Sequence, residues 1–122
     1  LSTVESLSKD GRKVIIVAEP PRVDYSVPSV LARMELYGRE FDIRPSRSEY
    51  LTSQAFNFDL FEKAHKDYGA VIIYPHETFC GSDLCDVLHE GQSLYFDGNH
   101  LSVAGADYIA KHFESVFKPA KK

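Results

Sequence analysis

The stretch KVIIVAEPP, residues 13–21, decides the fold class of this 122-residue chain. Its first half is dominated by β-branched apolar residues, which is the pattern of a buried strand. Pro20 and Pro21 must end that strand, because proline has no backbone N–H to donate to a neighbouring strand. A second run of the same kind, AVIIY at residues 70–74, ends at Pro75. We therefore predict two buried strands in one sheet.

Helical periodicity fills most of the chain between and after these strands. The spacing of apolar residues predicts a short helix over 28–37, a longer helix over 47–67 and a last helix over 102–117. The predicted apolar face of the long helix is Leu51, Ala55, Phe58, Phe61 and His65. The predicted apolar face of the last helix, which follows Ser102 as its N-cap, is Val103, Ala106, Ile109 or Ala110, Phe113 and Phe117.

Strands joined through long helical segments indicate a parallel sheet with helices on both faces, a three-layer α/β fold of the flavodoxin-like kind. Such folds place their sites at the carboxyl ends of the strands, where EPPR and PHETFC lie here. Two strands are too few for a complete sheet, so we expect the N-terminal part of the fold to be missing. A free strand edge would favour self-association, which sedimentation at several concentrations would test.

The length of the chain fits a single domain over residues 1–122. The opening segment, LSTVESLSKDGRK, lacks both an initiator Met and a signal-peptide pattern, and it reads like a helix running into the turn at Asp10 and Gly11. We therefore expect the chain to be the C-terminal portion of a longer domain.

The composition argues against nucleic acid as a partner. The formal net charge is −4, and basic residues are scattered apart from a short terminal group of lysines. That group, which is typical of a solvated tail, is Lys118, Lys121 and Lys122. The sequence also contains no apolar run long enough to span a bilayer.

The two cysteines, Cys80 and Cys85, lie in FCGSDLC, residues 79–85. They are close enough to form a local disulfide, which would suit an exported domain, but two free cytosolic thiols fit the same spacing. A zinc site is a third interpretation, with ligands drawn also from His76, His89 and His100. The second pair of ligands has no characteristic spacing, so we predict no metal site.

The stretch LYFDGNHLS, residues 94–102, carries the residues best suited to chemistry. His100 can act as a general base near neutral pH, and Asp97 lies three residues earlier, where its carboxylate can reach the imidazole ring. Gly98 would allow the tight bend that this contact needs, and Ser102 would anchor the loop to the last helix. An ordinary polar turn is the alternative, because Asp-Gly is a common turn dipeptide.

A longer stretch, YFDGNHLSVAGADYIAKHF at residues 95–113, resembles the last sequence block of the SGNH hydrolase superfamily. The order KVIIVAEPP, FCGSDLC and YFDGNHLSVAGA is similar to that of the SGNH domain appended to integral-membrane acyltransferases that modify bacterial surface sugars. The similarity is loose over most of the chain and specific only near its C-terminal end.

This resemblance implies that His100 is the general base and Asp97 its orienting carboxylate. The nucleophile of the family is the serine of an N-terminal Gly-Asp-Ser block, and this sequence contains no such block and no counterpart of the oxyanion-hole blocks. Ser82 and Ser102 are considered as substitute nucleophiles, but Ser82 is more simply a loop residue and Ser102 a helix cap. We therefore expect the chain alone to be inactive, with the nucleophile supplied by a parent protein.

The function implied for that parent is acyl transfer to or from cell-envelope carbohydrate, with O-acetylation as the chemistry. Its partners would be surface carbohydrate and an acyl donor, its location the bacterial periplasm beside a membrane-embedded part, and no cofactor is implied. The alternative is a non-catalytic carbohydrate-binding or interaction domain, with a groove formed by EPPRVDYSVP together with Tyr74, Pro75 and His76. Glu19, at the end of the first strand, would bind either Arg22 or substrate.

Overall fold

The computed structural model describes residues 1–117 of the chain. Residues 118–122, which include the terminal lysines, and the side chains of His112, Ser115, Val116 and Phe117 lie outside what is described. Within residues 1–117 the helices are α1 (Ser2–Lys9), α2 (Val27–Tyr37), α3 (Arg47–Tyr68), α4 (His76–Phe79) and α5 (Val103–Phe117). The strands are β1 (Ile15–Val17), β2 (Val71–Ile73), β3 (Leu88–His89) and β4 (Gln92–Ser93).

The two predicted strands pair in parallel, which confirms the α/β fold class. Ile15 pairs with Val71 and Val17 pairs with Ile73, and the amide of Ala18 extends the ladder by donating to the Ile73 carbonyl at 2.9 Å. α2 and α3 make the crossover between the strands, and both α3 and α5 contact β2. In the part of the chain that the structure describes, β1 pairs on one side only, and self-association through that edge stays a prediction.

The helix boundaries follow local capping chemistry closely. The Ser46 side chain accepts the Glu49 amide at 3.3 Å and starts α3, and Gly69, with φ of 70°, ends it. α2 ends in the same way at Gly38, with φ of 65°. These boundaries lie within about one residue of those predicted from sequence, because caps act through the chain next to them.

The main core lies beside the sheet and brings together distant parts of the chain. Among the described residues it consists of Val23, Val27, Val30, Ile43, Phe79, Cys80, Cys85, Val87, Leu94, Tyr95 and Ile109. β1 is outside this core, and its Val17 is 44% exposed. The expected burial of the first strand is therefore only partial.

The predicted face of α5 is wrong at its N-terminal end. Ile109 is buried and Phe113 packs against the core, but Val103 is 80% exposed and Ala106 is exposed. The reason is Gly105, where a Cβ would come within 2.0 Å of the Leu94 carbonyl oxygen. Because only a residue without a side chain fits there, Gly105 turns its own side of α5 toward the protein.

The predicted face of α3 is also wrong in part. Phe58 and Phe61 are half-buried, as predicted, but Ala55 and His65 are exposed. The buried side chains are Tyr50 and Ala64. Tyr50 determines this rotation, because its hydroxyl donates to the Glu19 carbonyl at the end of β1.

Candidate active site

The candidate site is the loop between β4 and α5, which is closed by backbone contacts at its base. Tyr95 and Leu101 form an antiparallel bridge, and the Phe96 amide donates to the His100 carbonyl at 2.7 Å. Tyr95 is fully buried, and its hydroxyl donates to the Pro21 carbonyl. The loop is thus fixed to the segment that follows β1, at the carboxyl end of the sheet.

Asp97 and His100 form the hydrogen-bonded pair that their spacing predicts. Asp97 Oδ2 lies 2.8 Å from His100 Nδ1, while Oδ1 accepts the amides of Asn99 at 2.8 Å and His100 at 2.7 Å. These contacts, with the two amides first, lower the pKa of Asp97 from its ordinary value of 3.8 to about 2. At neutral pH the carboxylate is therefore ionised and accepts hydrogen bonds only.

This charge state assigns the proton on the imidazole ring. An ionised Asp97 requires His100 Nδ1 to carry its hydrogen, which leaves Nε2 of the neutral ring as the acceptor. The His100 side chain is 73% exposed, so a group that does not belong to the described residues can approach Nε2. The pair can therefore take a proton from an external group, and its catalytic use remains a prediction.

Gly98 lies in the predicted bend of the loop and also holds that loop against a neighbouring segment. Its φ is not in the left-handed region, and a Cβ would come within 2.6 Å of the Val23 carbonyl oxygen and 2.9 Å of that of Tyr25. The Val23 amide donates to the Gly98 carbonyl at 2.7 Å, and the Val27 amide donates to the Asp97 carbonyl at 3.3 Å. Close approach of two backbones is thus the reason for glycine here.

Neither serine considered as a substitute nucleophile contacts the pair. The Ser102 hydroxyl donates to the Ser93 carbonyl at 2.6 Å and accepts the Gly105 amide at 3.1 Å, so it is the N-cap of α5. Ser82 is exposed within the segment closed by the two cysteines. Both arrangements are the structural roles inferred from sequence.

The predicted disulfide between Cys80 and Cys85 is present. The bonded segment is fixed to the start of α3, because the Arg47 amide donates to the Asp83 carbonyl and the Cys85 amide donates to the Pro45 carbonyl, both at 2.9 Å. Free thiols are therefore the wrong alternative, and neither sulfur is available as a zinc thiolate. Among the side chains that the structure describes, which exclude His112, His, Cys, Asp and Glu form no group of three or more that could hold a metal ion.

His76 and His89 lie away from the Asp97–His100 pair in different surroundings. His76 is 5% exposed, its ring stacks on Phe58 at 5.5 Å between centroids, and burial lowers its pKa. His89 is exposed and packs against Tyr108 with centroids 4.5 Å apart. The structure assigns neither histidine to the candidate site.

The groove expected for a binding domain is divided between two places. Glu19, Arg22 and Tyr25 line a polar groove of ≈ 590 Å³ at the carboxyl end of β1. Tyr74 and His76 instead line a separate pocket of ≈ 250 Å³ beside α3. Within the described span Glu19 and Arg22 form no ion pair with each other.

The sequence analysis placed Tyr25 in an expected groove but missed Tyr37 and Phe41, which extend it into a group of exposed aromatic side chains along α2. Tyr25, Tyr37 and Phe41 are 53%, 69% and 53% exposed, respectively. The signal was present as aromatic residues between short polar stretches, but it does not reveal that the three side chains share one groove.

Over the described residues, no helix is both long and apolar enough to cross a membrane.

Comparison with known proteins provides a family and a fold. The family model described as "SGNH domain (fused to AT3 domains)" matches residues 1–115, whereas no curated protein matches the chain. A solved structure, the periplasmic domain of a lipopolysaccharide acetyltransferase from Salmonella ser. Paratyphi A, is similar with a TM-score of 0.71 and 14% sequence identity. The match covers 96% of this chain and 47% of that one, so the chain spans about half of the solved domain.

Proposed function

The chain belongs to the family of SGNH domains fused to AT3 domains, and we propose that it supplies the general base for acyl transfer on cell-envelope carbohydrate. In this proposal His100 is the base and Asp97 its orienting carboxylate. The nucleophile is a serine that lies outside this chain and faces His100 Nε2.

The proposed reaction has two steps. His100 Nε2 takes the proton of the serine hydroxyl as the serine oxygen bonds to the acyl carbon, and the resulting imidazolium returns that proton to the leaving group. Water or a sugar hydroxyl then attacks the acyl-serine, again with His100 as the base. Asp97 stabilises the imidazolium in both steps and keeps Nε2 directed outward.

One observation carries this proposal. The Asp97 carboxylate receives three hydrogen bonds, all from residues Asn99 and His100 of its own loop, and only one of them comes from the imidazole. A simple Asp-Gly turn would need the amide bonds alone. The additional bond from the ring fixes both the tautomer and the direction of the histidine, as a general base requires.

The similar structure and the disulfide support the substrate and location that we propose. That structure is a periplasmic domain of an enzyme that acetylates lipopolysaccharide. We infer an O-acetyl group as the acyl group, a surface polysaccharide as the acceptor, and a periplasmic site beside a membrane-embedded AT3 part. The disulfide between Cys80 and Cys85 fits an oxidising compartment.

The test is acetyl transfer and acetyl-ester hydrolysis by the full-length natural protein. We expect His100→Ala to lower the rate by about 10²- to 10⁴-fold, and Asp97→Asn to lower it to a similar degree. His89→Gln, at an exposed histidine in the β3–β4 hairpin, is the matched control and should retain the rate. Full activity of His100→Ala would overturn the proposal, and saturable carbohydrate binding without turnover would favour a binding domain instead.

A further inference from the structure

We propose that a groove along α2 binds the acceptor as an acidic saccharide, that is, one that carries carboxylates. The α2 groove has a volume of ≈ 530 Å³. The side chains that matter for binding are Tyr25, Arg33, Met34, Tyr37, Arg39 and Phe41. The proposal rests on the proposed function only in naming this saccharide as the acyl acceptor.

The α2 groove begins at the loop that holds the proposed base. The Tyr25 carbonyl oxygen lies 2.9 Å from where a Cβ on Gly98 would be, so the residue that starts the groove touches the loop of Asp97. The amide of Val27, the first residue of α2, donates to the Asp97 carbonyl. The groove then follows α2 from Val30 to Tyr37, roughly 10 Å at 1.5 Å per helical residue. An oligosaccharide in it would place one end near His100.

The aromatic side chains of the groove suit the faces of sugar rings. Tyr25, Tyr37 and Phe41 are each at least half exposed, and the rings of Tyr25 and Phe41 meet edge to face with centroids 6.5 Å apart. A sugar presents apolar C–H faces and polar hydroxyl edges, and exposed aromatic rings bind the first while tyrosine hydroxyls bind the second. Single exposed aromatic side chains are common on protein surfaces, whereas three in one groove indicate a binding site.

The charges around α2 are separated by sign, which determines the chemistry of the occupant. Arg33 and Arg39 line the α2 groove, whereas Glu35 and Glu40 line the adjacent cavity of ≈ 670 Å³. Within residues 1–117 neither arginine takes part in an ion pair, in contrast to Arg44, which is paired with a carboxylate at 2.7 Å. Guanidinium groups bind carboxylates through two parallel hydrogen bonds. The unpaired arginines therefore favour an acidic saccharide over a neutral one.

The test is binding of trigalacturonate to the full-length protein, compared with its fully methyl-esterified and hence neutral form. We expect Arg33→Gln with Arg39→Gln to weaken trigalacturonate binding about tenfold or more and to leave binding of the ester unchanged. The matched control removes two exposed charges near the amino ends of β1 and β2, Arg12→Gln with Lys66→Gln, and should leave the Kd unchanged.

A second substitution separates stacking from charge. Tyr37→Ala should weaken both the acid and the ester, because it removes ring contact rather than charge. The proposal is overturned if trigalacturonate does not bind, if acid and ester bind equally, or if the control weakens binding as much as the Arg33 and Arg39 pair does. It is also overturned if phosphatidylglycerol vesicles bind this surface and displace the saccharide, since the groove would then be a membrane contact.

Failure of this proposal can be distinguished from failure of the proposed function. His100→Ala should lower acetyl transfer by about 10²- to 10⁴-fold and leave trigalacturonate binding unchanged. Binding that depends on Arg33 and Arg39, in a wild-type protein without transfer activity, would support the groove and remove the proposed function. Transfer that depends on His100 but is indifferent to both arginines would do the reverse.

Discussion

Gly98→Ala provides the sharpest test of how the candidate loop is held. The new methyl group would lie 2.6 Å from the Val23 carbonyl oxygen and 2.9 Å from that of Tyr25. Both atoms belong to the backbone, and the Val23 amide is itself bonded to the Gly98 carbonyl. Neither can turn aside as a flexible side chain would, so the two segments must separate.

The expected cost follows from two opposing effects. Forcing a methyl group into a filled space costs about 1–3 kcal/mol. Replacing glycine by alanine recovers about 0.4–1 kcal/mol by restricting the unfolded chain. The net loss of unfolding free energy should therefore be about 1–2 kcal/mol, and the displaced loop should lower acetyl transfer by about 10²-fold because Asp97 and His100 move with it.

Urea unfolding measures the first effect and acetyl transfer by the full-length protein measures the second. With a dependence of about 1–3 kcal/mol per molar urea, the midpoint should fall by roughly 1 M. Gly81→Ala is the matched control, because a Cβ there would lie 3.7 Å from its nearest neighbour, an ordinary contact. A Gly98→Ala protein as stable as wild type, or a Gly81→Ala protein destabilised to the same degree, would refute the reasoning.

Three further predictions concern the surroundings of the pair. Because the pKa of Asp97 is lowered to about 2, its contribution to stability is present above pH 3.8 and is lost as the pH falls toward 2. Asp97→Asn should therefore flatten the decline of unfolding free energy in that window, as measured by urea unfolding at several pH values, and Asp67→Asn on α3 should not. Ser102→Ala should lower the unfolding free energy by about 1–2 kcal/mol through loss of the helix cap, and an unchanged urea midpoint would contradict this. Replacing Cys80 and Cys85 by serine should cost about 2 kcal/mol, the loop-closure value for so short a ring, and equal thermal stability under reducing and non-reducing conditions would contradict it.

The sequence allowed good prediction wherever the signal is local. Proline and β-branched runs placed both strands, and the spacing of apolar residues placed α2 and α3, whose observed ends are capped locally by Gly38, Ser46 and Gly69. The spacing of Asp97 and His100 predicted their contact, because three residues of chain constrain how far the two side chains can be. Proximity alone made a disulfide between Cys80 and Cys85 one of the alternatives, and the structure decided for it.

The rest depended on contacts between residues far apart in the chain. Periodicity defined the helices but not which side of each helix faces the protein. The close approach of Gly105 to the Leu94 carbonyl decided this for α5, and the hydrogen bond from Tyr50 to the Glu19 carbonyl decided it for α3. The bend at Gly98 was predicted, but the close approach that requires glycine there was not, because the backbone atoms involved lie more than seventy residues earlier.

The amino-acid sequence by itself therefore determined the class of the fold, the ends of its helices, and the pairing of the proposed base, His100, with Asp97. Only the tertiary structure decided the rotation of α3 and α5, the attachment of the base loop to the segment after β1, and the separation of charges along α2. Capping, strand propensity and short spacings act through neighbouring residues, whereas burial and close approach act between surfaces that exist only after the chain has folded.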